Sequence, residues 1–184
     1  MHFGGILSED GIALALSRCK QRLLKAGEHF LALDKVAHEI AFVERGILRL
    51  YALDDEGAEV TKYFVRSNQF VTDLESYYAG APSQNPIQAV VDTELYIIHK
   101  DAVNDLIQQI PNYFIFLKSI TEAQLLNKLK DNDFLNFGDA RTKYIAFLNR
   151  YPDLALQAPQ HYIASYLKIT PQSLSRIRRE LAEK

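Results

Sequence analysis

The sequence predicts an α+β chain: an antiparallel, jelly-roll-like β-roll, then a long helix, then a C-terminal helix-turn-helix without a clear following wing. Three observations support this. Short runs rich in Val, Ile, Phe and Tyr follow one another between about 28 and 99, with no helical pattern between them. Apolar residues then recur at helical spacing from 111 to about 134. The end of the chain contains two short amphipathic patterns joined by a tight connection.

The β-rich part is expected to form at least six short strands. Before it, residues 8–24 have loosely helical spacing, which Gly27 breaks. Gly46 and residues 53–57 supply turns between these short apolar runs, as hairpins require. The predicted strands are 36–44, 47–53, 59–65, 68–71, 87–91 and 95–99.

After Lys100 the pattern becomes helical. A short amphipathic helix is predicted up to Ile110, and Pro111 can begin the next one. From there to about Phe134 the apolar residues are too dense for one buried stripe. A helix with two apolar faces could pack on its own domain and on a partner, and the alternative is a helix buried within a single core. We favour a homodimer that pairs through this helix.

The last segment begins at Gly138, which marks a boundary. Residues 139–150 are predicted to be helical, and residues 151–153 interrupt the helix. Four apolar side chains of this helix are expected to point inward: Tyr144, Ile145, Phe147 and Leu148. The predicted organisation is therefore a β-roll with flanking helices (1–110), a long connecting helix (111–136) and a helix-turn-helix domain (137–184).

The final amphipathic helix has clear start and face signals. Thr170 can cap it, and Pro171 fits its first position. Leu174, Ile177 and Leu181 form one apolar stripe. A separate polar face carries Gln172, Ser173, Arg176 and Arg179. Two helices this close together are what a helix-turn-helix needs, with the second entering the major groove of DNA.

Charge is unevenly divided along the 184 residues. The formal net charge is −2, but residues 137–184 carry +4 and the rest −6, which suggests an anionic partner for the terminal segment only. Cys19 is the only cysteine, so an internal disulfide and a four-cysteine metal site are excluded. The chain shows neither a secretory signal pattern nor an apolar run long enough to span a bilayer. A cytoplasmic location without membrane contact is expected.

In this order of parts the chain resembles the Crp/Fnr family of bacterial transcription regulators. The resemblance is carried by residues 25–28, 43–51 and, weakly, 93–96, and most specifically by 163–167 and 169–178. It implies a cyclic-nucleotide-binding-like β-roll, a long helix that forms the dimer seam, and a second terminal helix that reads promoter DNA. RNA polymerase is a further candidate partner. Two features differ from the family: no clear wing follows the last helix, and Lys168 stands in the turn where glycine is common.

The resemblance also suggests roles for the terminal side chains on double-stranded DNA. Arg176 matches the arginine that reads bases, and a bidentate pair with guanine would provide its specificity. Gln172 and Ser173 lie nearer the helix start and could touch base edges. The expected phosphate contacts, which position the protein without specifying sequence, are Lys168, Thr170, Arg178 and Arg179.

The expected effector pocket departs from the cyclic-nucleotide-binding pattern. In binding members of the family, a Gly-Glu pair holds the ribose and an Arg-Ser-Ala run clamps the phosphate. The matching segments here contain no Arg or Lys between Ser67 and Asp92, and a buried phosphodiester without a cationic partner is disfavoured. Cyclic AMP is therefore not the expected effector. The β-roll is expected to bind another small molecule, which the sequence does not identify, or none. The pocket candidates are Thr72, Asp73, Leu74, Glu75, Ser83 and Gln84.

Some of these residues, and three histidines near the strands, also allow other interpretations. Asp73 and Glu75 could be paired carboxylates or a cation site, although solvated loop charges are commoner. Histidines near strands occur in metal-binding cupin barrels, but His29, His38 and His99 have no compact ligand spacing. The expected function is a sequence-specific DNA-binding transcription regulator, not an enzyme, with no catalytic residue, metal or cofactor. The alternatives are a cupin-like small-molecule or metal-binding enzyme with a helical appendix, and a β-roll sensor whose helix-turn-helix has lost its DNA role.

Overall fold

The computed structural model describes residues 5–183, which form eight strands and eight helices. In chain order these are α1 (Glu9–Ser17), β1 (Lys20–Leu24), β2 (His29–Leu31), β3 (Glu39–Arg45), β4 (Ile47–Leu53), β5 (Glu59–Arg66), β6 (Gln69–Val71), α2 (Leu74–Ala79), β7 (Ile87–Ala89), β8 (Thr93–His99), α3 (Lys100–Gln109), α4 (Tyr113–Asn136), α5 (Ala140–Arg150), α6 (Pro152–Gln157), α7 (Gln160–Leu167) and α8 (Pro171–Ala182).

The strands form a roll of two four-stranded antiparallel sheets. One sheet has the order β1-β8-β3-β6 and the other β2-β7-β4-β5. The core between them is aliphatic because alternate positions of β3, β4, β7 and β8 point inward. This arrangement confirms the predicted antiparallel roll. It adds two elements that the sequence pattern did not single out, the three-residue β2 and the six-residue α2.

The N-terminal segment corrects the helical interpretation of residues 8–24. Helix α1 begins at the Ser8 cap, whose side chain accepts from Gly11 N, and it ends at Ser17. Leu23 and Leu24 lie instead in β1, which pairs with β8. Pairing with β8 provides hydrogen-bond partners for the backbone of this segment and places Leu24 in the core. These tertiary contacts outweigh the local helical spacing of the apolar residues.

Strand β4 is buried on both faces. Leu48 and Leu50 contribute to the core of the roll, whereas Ile47 joins a second core formed mainly by α5–α8. Arg49 and Tyr51, on the same face of β4 as Ile47, are also buried. The four last helices, hereafter the terminal module, thus cover the outer face of this sheet.

Helix α4 has the two kinds of face that its composition predicts. Tyr113, Ile120 and Leu135 are buried within the chain. Another side of the helix leaves large apolar side chains exposed: Phe114, Ile115, Leu125, Leu126 and Leu129. No helix in the described range 5–183 is long and apolar enough to cross a membrane.

The terminal module differs from the prediction in two details. Pro152 starts a further short helix, α6, instead of only interrupting α5, because proline is favoured at a first helical position. Tyr144 and Phe147 are buried in the module core as predicted, but the predicted inward position of Ile145 is wrong, since its side chain is 37% exposed. A helical step of one residue turns Ile145 away from the Tyr144–Phe147 stripe.

Candidate nucleic-acid interface

Helices α7 and α8 form a compact pair joined by a tight turn. Lys168 ends α7 in the left-handed conformation, at φ 55° and ψ 45°. Its N–H bonds to Ser165 O, and the N–H of Ile169 bonds to Ala164 O, so two of the last four carbonyls of α7 are satisfied. The Lys168 ammonium lies 3.5 Å from Asn136 Oδ1 at the end of α4. The turn therefore has the glycine-like geometry expected at this position, with a lysine in it.

Helix α8 starts with the capping geometry that its sequence indicates. Thr170 Oγ1 accepts a hydrogen bond from Ser173 N at 3.1 Å, and its hydroxyl lies 2.9 Å from Ser173 Oγ. Pro171 occupies the first turn of the helix. Leu174 and Ile177 are buried against the rest of the module. Both hydroxyls are thus engaged in the cap, which fixes where the helix begins.

One side of α8 is open and polar, and we call it the open face: Gln172, Ser175, Arg176 and Arg179. The Arg176 side chain is 67% exposed, and its Nε lies 3.9 Å from Glu180 Oε1. Because this contact is long and solvated, it leaves the guanidinium available. Ser175 also belongs to this face, although its position in the sequence carries no signal of a contact. Arg178 is only half-exposed and lies to one side.

The module is anchored to α4 through Asp131. One carboxylate oxygen accepts from Tyr151 OH and from Arg150 Nε, each at 2.5 Å, and the other accepts from Tyr166 OH at 2.9 Å. Burial, with Asp131 nearby, raises the pKa of Tyr151 to about 12 and also raises the pKa of Tyr166. Both phenols therefore stay protonated and act as donors to the carboxylate. No sequence signal pointed to Asp131.

The effector-pocket candidates do not form one site. Asp73 is buried, caps α2 through Glu75 N, and accepts from Ser83 Oγ at 2.5 Å and from Asn85 Nδ2 at 3.3 Å. Asp73 is therefore a buried capping group, which corrects the expectation of a solvated loop charge at this position. Glu75 is exposed. Gln84 is also exposed, and it bonds to Asp34 outside this network.

Thr72 and Leu74 line a different space. They border a largely apolar cavity of about 470 Å³ between α2, α3 and α4. Tyr77 also lines it and is buried, and its hydroxyl has no hydrogen-bond partner among residues 5–183. Thr72 itself donates to Glu39 O at 2.9 Å. Two candidates, Asp73 and Ser83, thus belong to the polar network, and Thr72 and Leu74 line this cavity. Glu75 and Gln84 belong to neither.

The histidines of the β-roll lie apart or in pairs. His29 Nε2 is 3.0 Å from Tyr51 OH, and the rings of His38 and His99 stack with centroids 6.0 Å apart. Burial lowers the pKa of His29, which favours its neutral form. Within residues 5–183, no three His, Cys, Asp or Glu side chains come together as a metal site would require.

The chain matches one protein-family model and several solved structures. Residues 21–110 match the family model of the cyclic nucleotide-binding domain. No curated protein matches the sequence. The c-di-GMP-responsive global regulator CLP of Xanthomonas campestris has a similar structure, with a TM-score of 0.77 at 14% identity over 96% of this chain and 92% of that one.

Two structures from Thermus thermophilus are also similar. The Crp/Fnr-family transcriptional regulator TTHA1359 matches with a TM-score of 0.70 at 18% identity, over 89% of this chain and 86% of that one. The catabolite activator protein matches with a TM-score of 0.60 at 23% identity, over 98% and 86%. At these identities the likeness establishes a shared fold, which extends from the β-roll through the terminal module.

Proposed function

From the fold that the chain shares with the Crp/Fnr transcription regulators, and from the match of residues 21–110 to the cyclic nucleotide-binding domain model, we propose that it is a sequence-specific DNA-binding regulator. Residues 137–184 would contact DNA, residues 111–136 would pair two protomers, and residues 1–110 would receive a signal. Such a protein would act in the cytoplasm on promoter DNA, with RNA polymerase as a candidate partner.

The observation that carries this proposal is the open face of α8. A capped helix presents Gln172 and two arginines to solvent, while its apolar stripe is buried in the module. An α-helix of this kind fits the major groove, where arginine can pair bidentately with guanine. Ser175 lies on the same face as Gln172, and both are candidates for base edges. Ser173, also proposed for base edges, lies outside the open face with its hydroxyl engaged in the cap, so a contact with a base would require that this hydroxyl leave Thr170. Lys168, Thr170, Arg178 and Arg179 remain candidates for phosphate contacts.

Substitution of Arg176 tests the proposal directly. Genomic fragments selected by the purified wild-type protein would be titrated with wild type, Arg176→Ala and Arg176→Lys. For the fragment that the wild type binds most tightly, we expect both variants to lose about 1–3 kcal/mol of binding free energy, since neither has the planar guanidinium that pairs with guanine through two hydrogen bonds. Affinity for unrelated DNA should change little in Arg176→Lys, which keeps the charge.

The salt dependence provides the control for this test. Arg178→Ala and Arg179→Ala should weaken binding to all fragments to a similar extent and flatten the dependence of affinity on salt, because each removes a charge near the phosphates. Equal affinity of wild type and Arg176→Ala for every selected fragment, at several salt concentrations, would reject the proposed role of Arg176.

We also propose that the two protomers pair through the exposed apolar side of α4. Leu125 and Leu129 lie one turn apart on this side, with Ile115 nearer the helix start, and all three are about half-exposed. Lys118 and Glu122 interrupt the stripe and form an i,i+4 pair with a 3.7 Å separation. A stripe of this kind is typical of a helix that packs on a second helix.

Cyclic AMP is not expected to bind the β-roll. The Asp73 carboxylate already accepts the hydrogen bonds of Ser83 and Asn85, in the segment where a nucleotide phosphate would need donors. A second anion there would face the repulsion of Asp73 in a partly desolvated site. Isothermal calorimetry with the wild-type protein should show no saturable heat up to millimolar cyclic AMP, and saturable binding in the micromolar range would contradict this expectation.

A further inference from the structure

The free edge of the β-roll is covered by the terminal module. Strand β5 lies at the end of its sheet, and helix α7 runs along it. Ser165 Oγ accepts a hydrogen bond from Thr61 N at 2.9 Å and lies 3.3 Å from Glu59 O. One hydroxyl on α7 therefore satisfies two of the backbone groups that the edge strand would otherwise leave to solvent or to another chain.

A buried arginine lies beside this contact. Arg49 on β4 is 1% exposed, pairs with Glu59, and donates to Gln88 Oε1 from Nε at 2.9 Å. Its guanidinium carbon lies 3.7 Å from the centroid of the Tyr162 ring and 4.3 Å from that of Tyr51. A desolvated guanidinium so close to two rings is stabilised by cation–π attraction. Tyr162 supplies one ring from α7, so the terminal module completes the environment of a charge that belongs to the β-roll.

These contacts determine where α8 points. Helices α7 and α8 share a core through Ile163, Leu167 and Leu174, all fully buried, so they move as one unit. Holding α7 on β4 and β5 therefore also holds α8. The open face of α8 stays exposed in this arrangement, which means that the docking does not cover it.

We infer that Arg49 and Tyr162 are positioning residues for DNA reading: their contact locks the terminal module to the β-roll and fixes the direction of α8. The inference rests on the proposed function. In a dimer, two such helices must meet half-sites about one helical turn, roughly 10 base pairs, apart or at multiples of it. A fixed module selects one spacing, and a released module tolerates several.

The test uses the full-length protein with Arg49→Met and Tyr162→Leu, which break the contact from opposite sides. Tyr162→Phe is the matched control because it keeps the ring over the guanidinium. Hydrogen exchange first measures docking without DNA: peptides covering β5 and α7 should exchange at least about tenfold faster in both disrupting variants, since these amides lose the cover of the other part. Tyr162→Phe should resemble the wild type.

DNA binding then measures positioning, with paired half-sites at the preferred spacing and with five base pairs inserted. Wild type and Tyr162→Phe should prefer the first DNA by about tenfold or more, and the disrupting variants by less than about twofold, with single-half-site affinity unchanged. Unchanged exchange in both disrupting variants would refute the lock. Faster exchange with an unchanged spacing preference would refute the positioning role. Wild-type protein that binds no DNA would refute the proposed function and with it this role, while the exchange result would still decide whether the lock exists.

Discussion

Replacing Leu125 and Leu129 together with lysine is expected to convert the proposed dimer into a monomer and to weaken binding to a paired half-site by about 10²–10⁴-fold. The loss follows from the effective concentration that linkage of two reading helices provides, which a monomer lacks. Both leucines are about half-exposed on the apolar side of α4. Analytical ultracentrifugation would give the mass, and DNA titration on single and paired half-sites would give the affinity.

Leu156→Lys is the matched control for this experiment. Leu156 is 86% exposed on α6, outside the proposed seam, and the same change of side chain there should leave both mass and affinity as in the wild type. The affinity of the double variant for a single half-site should also be preserved. A double variant that sediments as a dimer at the same concentrations would exclude α4 as the seam.

Asp131→Ala is expected to destabilise the protein by about 3 kcal/mol, because it leaves three buried or half-buried donors without their acceptor. Arg150, Tyr151 and Tyr166 all direct their polar atoms at this one carboxylate. The free energy of unfolding, from urea denaturation at pH 7, measures the loss. Tyr166 is 3% exposed, so its hydroxyl cannot turn to water without opening the contact between α4 and α7.

Two further variants define the cause of that loss. Asp131→Asn keeps the shape and one good acceptor, so we expect about half of the destabilisation. Asp133→Ala changes a neighbouring carboxylate that is exposed on the same helix, and it should leave the free energy of unfolding within about 0.5 kcal/mol of the wild type. Equal stability of Asp131→Ala and Asp133→Ala would show that the carboxylate does not anchor the module.

Local signals were sufficient for the parts of the fold that depend on nearby residues. The start of α8 depends on Thr170 and Pro171, which act within one turn, and its buried stripe is a spacing of apolar residues. The strands from 39 to 66 are short apolar-rich runs that end at turn residues. The order of parts was therefore predictable, and the fold confirms it. The proposed DNA contacts remain predictions.

The remaining features depend on contacts between distant residues. Leu23 and Leu24 follow helical spacing, but β8, far along the chain, offers them a strand partner. Arg49 has the pattern of an outward-facing, solvated residue of a strand, and only the packing of α7 makes it buried. Asp131 looks like one of several polar residues on α4 until Tyr151 and Tyr166 fold back to it. A linear pattern carries no signal for such pairs.

The burial of β4 on both faces has a consequence for protein engineering. In a chimera that joins this β-roll to the last four helices of a relative, the foreign helices would meet Ile47, Arg49 and Tyr51 without the surface that matches them. The guanidinium would then be left against an unsuited neighbour or in a gap. A graft that also carries the outward residues of β4 and the rim of β5 from the donor would keep the pair together. The exchangeable unit is thus a set of helices together with the part of the sheet that it packs on. No single junction in the chain separates this unit from the rest, because its parts are distant in sequence.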